Sequence, residues 1–98
     1  NNKEYMVNIE IGNKVFTATL YNNDTNKEFI KELPMIINMK ELNGNEKYYE
    51  FSKIFTIKEE SVNTIHAGEI MLYGSNCLVL FYDTFNTSYR YTKLRIYK

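Results

Sequence analysis

The chain has 98 residues, enough for one domain with a single modest core. Twelve basic residues balance twelve acidic ones, so no global field points to nucleic acid or an anionic membrane surface. The longest apolar run, Cys77–Tyr82, is far too short to span a bilayer, and a lone cysteine, Cys77, forbids an internal disulfide.

Residues Glu4–Ile11 alternate, with Tyr5, Val7, Ile9 and Ile11 on one side and Met6, Asn8 and Glu10 on the other. Gly12-Asn13-Lys14 turns the chain, and Val15–Tyr21 returns with Phe16, Ala18 and Leu20 inward. Period-two alternation around a turn signal predicts a hairpin with one wet face. Thr25 and Glu28 have capping-box spacing, Phe29, Ile30 and Leu33 supply an apolar stripe, and Pro34 is a stop. A short helix over Asn26–Leu33 is expected, docked on a sheet because so few turns cannot persist alone. Met35–Leu42 reads as a strand, Asn43-Gly44-Asn45 as a turn, and Glu46–Phe51 as the returning strand. Ser52–Asn63 has little period and reads as a loop with at most one turn.

The most apolar segments are Ile70–Tyr73 and Cys77–Tyr82, joined by Gly74-Ser75-Asn76. In the second, both alternating sets are apolar or aromatic, which places it at the centre of a sheet, covered on both faces. Phe85–Ser88 is a connector. Tyr89–Tyr97 is the last strand, with Tyr89, Tyr91, Lys93, Arg95 and Tyr97 on one face and Arg90, Thr92, Leu94 and Ile96 on the other. About seven or eight short strands with one helix argue for an all-β architecture, and a closed barrel would remove the exposed edges. No repeat or linker divides residues 1–98, so one domain is expected. The start at Asn1 rather than Met points to trimming, with a cytoplasmic location or, if a leader was removed, a secreted or lipoprotein one.

Several blocks resemble a known family. Leu20-Tyr21-Asn22 before the helix, Leu42-Asn43-Gly44-Asn45-Glu46-Lys47-Tyr48-Tyr49, the long block from Ile65 to Tyr82, and Thr87-Ser88-Tyr89 with Tyr91-Thr92-Lys93 are similar to the small prokaryotic cyclophilin-like domain family. The resemblance covers essentially the whole chain. It implies a closed antiparallel β-barrel like that of the cyclophilins, without their extra loops. It carries over little activity, because true cyclophilins place an arginine over the substrate amide and this chain has only Arg90 and Arg95, both in the last strand. Weak prolyl isomerase activity is therefore the alternative to simple binding. The company some relatives keep with flavodoxin-like proteins adds a third reading, an accessory to a flavin-dependent redox protein.

The familiar catalytic parts are missing from the sequence: no Gly-rich phosphate loop, no Ser/His/Asp set, no Cys-x-x-Cys. His66 and Glu69 lack the further ligands a zinc site needs, so no metal and no cofactor is expected. Cys77 reads as a packing residue, since a reactive thiol needs basic neighbours. Glu59-Glu60 reads as a solvated loop. What remains is an aromatic surplus of nine tyrosines and six phenylalanines. Tyrosine joins an apolar ring to a polar tip, which suits a groove for a peptide or a small molecule; cross-strand pairing that merely stabilises the sheet would use the same residues. Ligand sites on rigid β scaffolds sit on loops and strand ends. The expected site is therefore Tyr82, Phe85, Thr87, Ser88, Tyr89 and Tyr91, with Tyr89 and Tyr91 about 6–7 Å apart on one strand face.

Overall fold

The computed structural model describes residues 3–98. Asn1 and Asn2, where the sequence hints at trimming, lie outside the described residues. The strands are β1 (Tyr5–Ile11), β2 (Lys14–Leu20), β3 (Lys40–Leu42), β4 (Glu46–Glu50), β5 (Glu60–Ser61), β6 (Thr64–Ile65), β7 (Ile70–Tyr73), β8 (Cys77–Phe81), β9 (Phe85–Asn86) and β10 (Arg90–Lys93). Helix α1 spans Asp24–Ile30.

The first hairpin forms as its alternation predicts, in the register Tyr5↔Leu20 through Ile11↔Lys14. Its turn needs Gly12, which takes a φ of +62°. Inward residues Ala18 and Leu20 are buried, whereas Met6 on the other face is exposed.

The helix begins two residues earlier than the capping box suggests. Asn23, not Thr25, is the N-cap, with its Oδ1 accepting from the Asn26 N–H at 2.8 Å. Three consecutive cap-competent residues, Asn22 to Asp24, precede Thr25, and tertiary partners decide among them. The Thr25 hydroxyl donates to the Thr56 carbonyl at 2.5 Å. The Glu28 carboxylate accepts from the Thr56 N–H at 2.8 Å and from its hydroxyl, rather than reaching back to the cap. Buried Asn26 fastens the helix to the sheet, donating to Tyr21 O at 2.8 Å and Leu94 O at 3.0 Å.

The central hairpin lies where its double apolarity demands. In the six-stranded order β3-β4-β8-β7-β10-β5, β8 and β7 are the middle strands. One face holds Phe55, Leu72, Leu78 and Leu94, packed against by Phe29 of α1, by Met35, Ile37 and Met39, and by Phe51. The other holds Ile65, Met71, Val79, Phe81 and Tyr91, with Tyr48, Val62, Cys77 and Phe85 packed around them.

The mainly-β character and single short helix agree with expectation, but the closed barrel does not. The described residues form three open sheets of two, six and two strands, with ten strands in all. The apolar strands are covered by layers rather than by closure: α1, Met35, Ile37, Met39, Phe51 and Phe55 on one face, the β6–β9 pair on the other. The edges are protected by brevity and charge, β3 being Lys40-Glu41-Leu42 and β5 only Glu60-Ser61. The first hairpin joins the rest through one bridge, Leu20↔Arg95, flanked by Tyr21 N–H to Leu94 O and Ile96 N–H to Thr19 O.

Two segment expectations also change. Of the strand expected over Met35–Leu42, only Lys40–Leu42 pairs. Met35, Ile37 and Met39 do face the core while Ile36 is 99% exposed, so the alternation reports one-sided packing without pairing. The Ser52–Asn63 loop contains buried Phe55 and short β5. A two-residue strand is too short to show a period.

Candidate functional site

Strand register assembles the site. On β4, Glu46, Tyr48 and Glu50 stand opposite Phe81, Val79 and Cys77 of β8, and across the hairpin Cys77 stands opposite Tyr73. Because side chains alternate along a strand, these residues share one face. The Tyr91 ring joins them, with its centroid 5.5 Å from Tyr73 and 5.5 Å from Phe81. Tyr89 meets Tyr73 edge-on at 5.8 Å, and Phe85 lies 5.8 Å from Phe81. A continuous path of rings thus runs Tyr89–Tyr73–Tyr91–Phe81–Phe85. Its outer end is open, with Tyr89 61% and Tyr73 46% exposed, and its middle is closed, with Tyr91 only 3% exposed.

The structure brings together four of the six expected residues and separates another. Phe85, Tyr89 and Tyr91 lie on the ring path. Thr87 fixes the loop beside it, donating its N–H to Asn63 O at 2.8 Å and accepting from the Tyr89 N–H at 3.1 Å. Ser88 is exposed between them. Tyr82 follows Phe81 and so turns the other way, its hydroxyl donating to the Glu41 carboxylate at 2.7 Å. That hydrogen bond pushes the Tyr82 phenol up to about 12. Tyr91 is also pushed up to about 12, first by burial and then by the charge of Glu46. Tyr91 is a buttress: its ring is core, so it cannot flank a ligand together with Tyr89 as the strand spacing suggested.

Three residues of this face escaped the sequence reading. Tyr73 is the exposed partner of Tyr89, and its position opposite Cys77 across the Gly74–Asn76 turn was the available signal. Cys77 is half-buried, and burial, then Glu50 and Glu46, push its thiol up, so it rests protonated. Glu46 is 7% exposed, and among the described residues its carboxylate has no hydrogen bond or ion pair. Burial, with Glu41 nearby, holds it above the usual carboxylate range.

Other polar clusters have their partners. Buried Glu69 accepts from the His66 N–H at 2.8 Å and lies 3.2 Å from His66 Nδ1, while the imidazole stacks on Tyr97 at 4.3 Å. Among the described residues, no group of three or more His, Cys, Asp or Glu converges as a metal site would require. Arg90 donates to Ser61 Oγ and Glu59 O, and Arg95 donates to Gly68 O and lies over the Phe16 ring. Two concave regions lie away from the ring path. One, of 530 Å³, is bounded by Tyr21, Lys58, Glu60 and Lys93; the other, of 260 Å³, by Arg95 and Tyr97. In the larger one Lys93 is paired with Glu60 at 3.8 Å, Asn23 donates to Lys93 O, and Thr92 accepts from the Lys58 N–H. Its Glu60 and Lys93 are thus paired with each other, whereas Glu46 on the ring face has no ion pair among the described residues.

The layered, open-sheeted arrangement with one capped helix defines a mainly-β protein. The chain belongs to the cyclophilin-like family, whose sequence profile matches residues 9–96. No curated protein and no solved structure matches it. No helix among the described residues is long and apolar enough to cross a membrane.

Proposed function

We propose that the chain is one binding domain, without catalysis of its own, that holds a peptide or small ligand against the face formed by Phe85, Thr87, Ser88, Tyr89 and Tyr91 together with Tyr73. Tyr82 stands apart from this set. The observation that carries the reading is the pair of exposed rings, Tyr73 and Tyr89, set edge to face on each other, with Tyr73 tilted against the buried Tyr91. Rigid tyrosines give a large contact area at low entropic cost, and a shallow open face suits an extended partner.

Prolyl isomerisation is the competing reading, resting on fold kinship alone. Against it, both arginines are held by acceptors within the chain, and neither is on the ring face. A protease-coupled assay with a proline tetrapeptide at high protein concentration separates the two. Binding alone predicts no acceleration, with ring resonances of Tyr73 and Tyr89 shifting as peptide is added. Acceleration that Arg90→Ala or Arg95→Ala abolishes would reverse the assignment. Titration with FMN tests the flavin-accessory reading in the same way.

A further inference from the structure

The smaller concave region, of 260 Å³, lies between β2 and the segment after β10, bounded by Thr17, Thr19, Gly68, Arg95, Tyr97 and Lys98. No acidic side chain lines it, although acidic and basic residues balance over the whole chain. The bridge Leu20↔Arg95, with Ile96 N–H donating to Thr19 O at 2.8 Å, lays that segment along β2 and sets Arg95 at the cleft. Among the described residues no carboxylate pairs with half-buried Arg95. Instead its Nη1 donates to Gly68 O at 2.8 Å, and the guanidinium lies over the Phe16 ring at 5.5 Å. These two contacts fix the group and use one of its nitrogens. Nε and Nη2 have no acceptor among the described residues, and neither is sealed from water. A guanidinium bonded through Nη1 alone keeps its side-on edge, whose two N–H groups match the two oxygens of one carboxylate.

The Thr19 hydroxyl is likewise without a partner and open to water. Backbone donors at the cleft, by contrast, are spent: Gly68 N–H on Phe81 O, Ala67 N–H on Thr84 Oγ1 and Ile96 N–H on Thr19 O. Phosphate presents three oxygens and is usually held by convergent backbone N–H groups, whereas one fork satisfies a carboxylate. The half-exposed Tyr97 ring, stacked on His66 at 4.3 Å, gives the cleft a flat apolar wall. We infer that this cleft is a second binding site, separate from the ring face, for the carboxylate of a small aromatic acid. Arg95 grips the carboxylate side-on through Nε and Nη2, the Thr19 hydroxyl donates to one of its oxygens, Lys98 adds a second positive charge, and Tyr97 flanks the ring.

The test is an NMR titration of the whole chain at constant ionic strength, followed on the Arg95 Nε–H and the Thr19 and Gly68 amides. The probes are benzoate, its neutral isostere benzamide, and phenyl phosphate. Benzoate should bind at least about tenfold more tightly than benzamide, the preference expected of a charge-assisted bidentate pair. It should also bind more tightly than phenyl phosphate. Arg95→Lys keeps the charge but removes the fork, so the preference for benzoate over benzamide should fall by about fivefold or more. Because Arg95 also anchors Gly68 O, Thr19→Val is the second variant; it leaves that anchor in place and should weaken benzoate about threefold. Equal binding of benzoate and benzamide in the wild-type chain, a comparison that needs no variant, would overturn the inference. So would phenyl phosphate binding as tightly as benzoate, an unchanged preference in either variant, or benzoate shifts confined to the rings of Tyr73 and Tyr89.

Discussion

The two faces of the six-stranded sheet are made by the same two central strands, yet they differ in kind. The face of Phe55, Leu72, Leu78 and Leu94 is sealed with carbon: Phe29, Phe51 and Phe55 interlock at 5.1 to 6.4 Å, and Met35, Ile37 and Met39 fill in around them. The face of Met71, Val79, Phe81 and Tyr91 is covered by little more than the β6–β9 pair, and it carries Glu46, Cys77 and two half-exposed tyrosines. Both faces are apolar at the centre, so the sheet holds. Only one of them accepts an unmatched charge and leaves large rings in water. A sealed face is what stability alone selects, and the open one is where the proposed binding role would act.

The largest test of the shared centre is Val79→Asp. It would bury an unpaired charge between Tyr48 and Met71 and should cost at least ~3 kcal/mol in a urea melt. An unchanged melt would remove β8 from the middle of the sheet. On the sealed face, Phe55→Ala should cost about 3–5 kcal/mol, because it leaves a hole among interlocked rings. That value would be surprising for a loop residue and ordinary for a core one. Asn23→Ala should cost about 1 kcal/mol by removing the cap that starts α1, whereas a capping box at Thr25 would have left Asn23 dispensable.

Two glutamates sharpen the comparison through pH. Glu28 is held below the usual carboxylate range, first by its hydrogen bonds to Thr56. It therefore contributes stability above the ordinary glutamate value, and that contribution is lost as pH falls through its lowered one. Glu46 is raised by burial, so the folded chain binds its proton more tightly than the unfolded chain does. Its penalty is full at neutral pH and disappears as pH falls through the raised value. In thermal melts at pH 7, Glu46→Gln should match or exceed the wild-type chain and Glu28→Gln should fall below it. The advantage of Glu46→Gln should shrink on acidification. A Glu46→Gln variant less stable than wild type at pH 7 would mean that the carboxylate has a partner in the folded chain.

Much of this was legible in the sequence where a period runs for five residues or more. The β1–β2 hairpin and the β7–β8 centre follow from alternation and from double apolarity. Periodicity reports faces, not partners, and that is why Met35–Met39 looked like a strand and packs as an unpaired extended segment. Phe55 was hidden in a segment without period, and β5, β6 and β9 are two residues each. Competition among Asn22, Asn23, Asp24 and Thr25 for the cap was settled by Thr56, thirty-one residues away from Thr25. Within the site, Tyr89, Tyr91 and Phe85 could be read from strand and loop chemistry. Glu46 could not, because Glu-Lys at a strand start reads as solvated and only the register Glu46↔Phe81 turns it inward. The separation of Tyr82 was available in principle, since alternation sets it opposite to Phe81.

The most direct measurement compares stability and binding in the double variant Tyr73→Ala/Tyr89→Ala. Both rings are half-exposed, so a binding face predicts a loss of only about 1 kcal/mol in the melt. Binding of the proline tetrapeptide, followed on backbone amide resonances of β7 and β10, should weaken by about tenfold or more, the loss expected for aromatic anchors. A large loss of stability with peptide affinity unchanged would contradict the account and make these tyrosines part of the core.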